Sequence, residues 1–64
     1  MKFYIVQQRP DLSWRWLLLV DDGTNGPVVT ARSSQLYPDK RDCLLNLSLE
    51  GVPGVPIFET PYPN

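Results

Sequence analysis

Ser13-Trp14-Arg15-Trp16-Leu17-Leu18-Leu19-Val20-Asp21 is the stretch whose reading decides the fold. Strand alternation sends Trp14, Trp16, Leu18 and Val20 to one face and Ser13, Arg15, Leu17 and Leu19 to the other. Wound as a helix, the same residues would be apolar around the whole circumference. The tryptophans and the turn-forming residues at both ends favour a strand, apolar on both faces and therefore central in a sheet.

Working outward, Phe3–Gln8 is rich in aromatic and β-branched residues and ends at the turn Arg9-Pro10-Asp11, so it predicts a first strand. On the other side, Asp21–Gly26 combines Asp-Gly with Asn-Gly, a hairpin signal, and Pro27–Arg32 is the returning strand. Ser33–Tyr37 is a polar connection with Leu36 and Tyr37 as apolar anchors. A helix is predicted over Asp39–Glu50, with Asp39 as cap, Asp42 as its weak capping-box partner and Gly51 as terminator. Cys43, Leu44 and Leu47 share one helical face, and Leu45 and Leu49 form a flanking stripe. The class is therefore α+β: a three-stranded antiparallel β-meander with one helix packed on one face. Residues 1–50 form this single domain and 51–64 a tail holding four of the seven prolines, in which Val55–Glu59 could form a short C-terminal edge strand.

Sixty-four residues are few for a self-sufficient core, and domains of this size usually add disulfides, a metal or a partner chain. A single cysteine cannot make an internal disulfide, and a chain without histidine is a poor zinc site. Self-association is what remains. One helix covers one face of the sheet, so the face bearing Leu17 and Leu19 needs another cover. A homodimer is expected, with Tyr4, Val6, Arg15, Leu17 and Leu19 as interface residues. The competing reading folds the tail back over that face through Ile57 and Phe58.

An ordered series of features resembles a known family. A short strand (Phe3-Tyr4-Ile5) leads to an aromatic-Arg-aromatic strand (Trp14-Arg15-Trp16-Leu17-Leu18). Then come the turn Asn25-Gly26, the strand Val28–Ala31, the connection Ser33-Ser34-Gln35-Leu36-Tyr37 and a helix entry with Lys40. This series is similar to the YegP-like domain of unknown function. The resemblance implies a three-stranded antiparallel sheet with one helix on it, and pairing between chains that carry a single copy. It brings no reaction and no cofactor. The longer turn at Asp21–Gly26, the leucine-rich helix and the proline-rich tail depart from the family's pattern.

Chemistry-bearing groups are sparse. The carboxylate pairs Asp21/Asp22 and Asp39/Asp42 sit where turns and helix starts call for aspartate, and Cys43 reads as an inert core thiol. No catalytic residue, no cofactor-binding residue and no metal ligand is expected, and the chain is read as no enzyme. A net charge of −1 argues against a strongly basic nucleic-acid binder and a polybasic membrane peptide. The N-terminus lacks the apolar length of a signal peptide, no stretch is long enough to span a membrane, and a lone thiol suits the cytoplasm.

The expected function is a small non-catalytic interaction module. It self-associates through the apolar sheet face or binds a heterologous protein partner, as a compact viral-type inhibitor or adaptor would. The alternative is nucleic-acid binding through Arg15, Arg32, Lys40, Arg41 and an exposed aromatic.

Overall fold

A computed structural model describes residues 1–63. In chain order it holds strands β1 (Lys2–Gln8), β2 (Trp14–Val20) and β3 (Val28–Arg32), helix α1 (Lys40–Glu50) and strand β4 (Ile57–Thr60). The sheet is four-stranded and mixed, in the order β3-β2-β1-β4. β1, β2 and β3 form the expected antiparallel meander, and β4 adds to the free edge of β1 in parallel.

The five residues between β1 and β2 close tightly. Arg9 N–H donates to the Ser13 carbonyl and Leu12 N–H to the Arg9 carbonyl, each at 2.8 Å. This puts Leu12 in the left-handed region at φ 71°, which costs a leucine about 1 kcal/mol. The turn sets a register in which Tyr4 faces Leu18, Val6 faces Trp16 and Ile5 faces Leu17. Between Leu18 and Leu19 the β2–β3 pairing shifts around a bulge at Thr30, whose hydroxyl donates to the Leu18 carbonyl.

Beyond β3 the chain keeps hold of β2. Ser33 N–H donates to the Trp16 carbonyl, and Trp14 and Tyr37 exchange two backbone bonds of 2.7 and 2.8 Å. Tyr37 is buried by this docking, whereas Leu36, expected as a second anchor, is exposed. α1 then crosses over β1 and β2, carrying the chain from one edge of the sheet to the other. Asp39 stands at the N-cap in extended conformation but makes no side-chain cap bond, contrary to the expected capping box.

The core lies between helix and sheet: Tyr4, Val6, Trp16, Tyr37, Cys43 and Leu47 are buried, with Trp14, Leu18, Leu44 and Val55 against them. The Tyr4 and Trp16 rings meet edge-to-face at 5.7 Å. Their polar ends are satisfied, since Trp16 Nε1–H donates to Asn46 Oδ1 at 2.8 Å and the Tyr4 hydroxyl accepts from Val52 N–H at 2.9 Å. Leu45 and Leu49, on the far side of the helix, are 58% and 78% exposed and cover nothing.

The tail does more than trail. Ile57-Phe58-Glu59-Thr60 registers against Tyr4–Gln7, starting two residues and ending one residue later than the expected Val55–Glu59. The Lys40–Glu59 ion pair at 2.9 Å ties β4 to the start of the helix. The expected extended stretch Thr60–Asn64 therefore begins inside a strand, and Asn64 lies outside the described residues.

Candidate interaction face

The molecule is only 17 Å thick, which is one sheet plus one helix layer. The sheet face away from the helix therefore carries no second layer. Register and alternation place Phe3, Ile5 and Gln7 of β1, Arg15, Leu17 and Leu19 of β2, Val29 and Arg32 of β3, and Phe58 and Thr60 of β4 on that face.

Its centre shields itself. Leu17 lies between its cross-strand partners Ile5 and Arg32 and is buried, while Phe3, Ile5 and Leu19 are half-buried. The flanks are open: Val29 is 42% and Phe58 51% exposed. Phe58 packs edge-to-face on Phe3 with ring centroids 5.8 Å apart, so β4 widens the apolar face rather than folding over it. The tail cover through Ile57 and Phe58 is thus not what the structure adopts. Ile57 faces the helix side, where it borders a shallow groove with Tyr4, Leu47 and Val52.

Two of the five expected interface residues are corrected. Tyr4 and Val6 lie on the helix-covered face and are buried, because the register pairs them with Leu18 and Trp16. Phe3 and Ile5 take their place beside Leu17 and Leu19. Arg15, Leu17 and Leu19 stand on the open face as expected. Arg15 is held flat, its Nε–H donating to Gln7 Oε1 at 2.7 Å, so only its terminal nitrogens remain for a partner.

The four cations named from the sequence do not converge. Arg15 and Arg32 share the open face, whereas Lys40 and Arg41 stand on the helix in the opposite layer. Lys40 is engaged by Glu59 and lies 6.0 Å over the Trp14 ring. Both tryptophans belong to the helix side, with Trp16 buried and Trp14 half-buried, so the exposed aromatic on the open face is Phe58. Phe58 was read as a possible cover for this face rather than as part of it, because its segment had no assigned sheet neighbour.

Three other titratable groups are perturbed by their local structure. Asp11 accepts from the Ser13 hydroxyl at 2.6 Å and from Ser13 N–H at 3.0 Å, which holds its carboxyl below the usual aspartate range. Asp22 is lowered in the same way, by Thr24. Cys43 is wholly buried and its thiol is pushed up by burial. Among the described residues no three metal-ligating side chains cluster, and no helix is long and apolar enough to cross a membrane. Comparison with known protein families, curated proteins and solved structures finds no match for this chain.

Proposed function

We propose that this chain is a non-catalytic interaction module that pairs with a second copy of itself, open sheet face to open sheet face. The observation that carries the reading is the contiguous apolar surface of Phe3, Ile5, Leu17, Leu19, Val29 and Phe58, left without a layer over it. Soluble monomers seldom leave a patch of this kind in water.

Dimensions favour a second copy. Four strands about 4.8 Å apart and roughly six residues long give a footprint of about 400 Å² per chain. Ruffled by side chains, two such faces bury on the order of 1,000 Å², the lower end of specific interfaces. Association of that area fits a dissociation constant in the micromolar range once the entropy of association is subtracted. The sheet edges are poorer candidates. β4 is four residues between Pro56 and Pro61, and β3 starts after Pro27 and is broken by its bulge; both features block edge-to-edge pairing.

The resemblance to the YegP-like domain supports the same reading, since its single-copy chains are expected to pair. The lone reduced thiol suits a cytoplasmic module. Sedimentation equilibrium from 1 to several hundred micromolar (roughly the range set by the area) tests the proposal. Mass rising from one chain toward two is expected, and a folded monomer throughout removes it.

A further inference from the structure

Charge is unevenly placed along the open face, and this bears on how two copies would stack. One end of the sheet, near the β1–β2 turn, carries Arg15, while Arg32 stands opposite Leu17 at the middle of β2. At the other end Asp21 continues the β2 alternation after Leu19, its N–H donating to the Met1 carbonyl, and Asp22 follows in the β2–β3 turn. Six residues of strand separate Arg15 from Asp21, about 20 Å. That exceeds the Debye length of about 8 Å at physiological ionic strength, so within one chain the two ends do not neutralise each other.

We infer that the paired sheets stack with their strands antiparallel, each chain's Arg15 end lying over its partner's Asp21 end. This inference rests on the pairing proposed above and specifies its symmetry. A two-fold axis in the plane of the face, running across the strands near Leu18, keeps β2 over β2 and β3 over β3 while reversing their direction. Arg15 then meets the partner's Asp21, whereas Arg32, level with Leu17, stays close to the axis. An axis along β2 instead places Arg15 over Arg15 and Asp21 over Asp21. The side chains are prepared for the first arrangement. Arg15 is braced by Gln7 through Nε alone, and the Asp21 and Asp22 carboxylates are fixed by the backbone N–H groups of Gly23 and Thr24 at 2.8 and 2.9 Å. The Met1 ammonium, also at the aspartate end, is directed to the Asp21 carbonyl rather than to a carboxylate.

The two orientations predict opposite signs. Arg15→Gln removes one charge of the opposed pair, and Asp21→Asn removes the other while its amide oxygen still accepts from Gly23 N–H. Under antiparallel stacking each variant dimerises about twofold to thirtyfold more weakly than the wild-type chain at low salt, and added salt erases the difference. Circular dichroism and thermal melting confirm that each variant is folded. Wild-type dimers with variants of equal or tighter association overturn the orientation and leave the pairing standing. A wild-type chain that stays monomeric overturns the pairing itself, and the orientation with it.

Discussion

Val29→Glu separates the open face from every other exposed apolar residue of the molecule. Val29 stands opposite Leu19 on the edge strand β3 and is 42% exposed, so in a single chain a glutamate there keeps its carboxylate in water. Fold stability should change by less than about 1 kcal/mol, the span of strand propensity at an edge. In the pair the residue is covered. Fully burying a valine is worth about 2 kcal/mol, so the exposed fraction contributes roughly 0.8 kcal/mol per chain. Two-fold symmetry doubles this, and two carboxylates crowded at an apolar contact add at least about 1 kcal/mol each. The sum, about 3–4 kcal/mol, is a factor of roughly 10² to 10³ in the dissociation constant. Leu45→Glu is the matched control. Leu45 is 58% exposed, but on the outer side of α1, and its substitution should leave association unchanged. Sedimentation equilibrium gives the constants, with far-ultraviolet circular dichroism to check folding. A wild-type-like constant for V29E, or a dimer lost in L45E, refutes the reasoning.

Three further outcomes follow from the packing. A Cβ on Gly51 would stand 2.6 Å from the Leu47 carbonyl oxygen and 2.9 Å from its Cδ1, so Gly51→Ala should lose about 1–3 kcal/mol in urea unfolding although the φ of −79° suits alanine. Cys43, fully buried with a raised thiol, should react with a disulfide reagent only through opening of the fold, its labelling rate climbing with urea; rapid labelling in native buffer would contradict that burial. Asp11 has a lowered folded-state pKa, so its contribution to stability is present above the ordinary aspartate pKa and fades as pH falls through the folded value. Ser13→Ala should move the Asp11 titration, followed by carboxyl NMR, back up toward the ordinary range.

Much of the architecture was legible because it depends on local chemistry. The alternation in Trp14–Val20, the Asp-Gly and Asn-Gly turn and the leucine-bearing segment after Asp39 located three strands and a helix within a residue or two of their observed limits. Leu17 and Leu19 were legible as an uncovered face because a single helix cannot cover both sides of a sheet. The capping box failed because Asp39, although at the N-cap in extended conformation, makes no side-chain bond to the helix amides, and spacing alone does not encode that bond.

What the sequence determined by itself is which residues share a face within each strand, since alternation has a period of two whatever the strand packs against. Which face of β1 joins which face of β2 was decided only by the tertiary structure. Five residues between Gln8 and Trp14 bring even-numbered residues opposite even-numbered ones, so Tyr4 and Val6 meet Trp16 and Leu18 under the helix. One residue more or fewer in that turn would have put them beside Leu17 and Leu19. β4 was decided there too. A four-residue strand between prolines carries too little pattern to be read alone, and its backbone bonds go to β1, more than 50 residues earlier, reached only after α1 has carried the chain across the sheet.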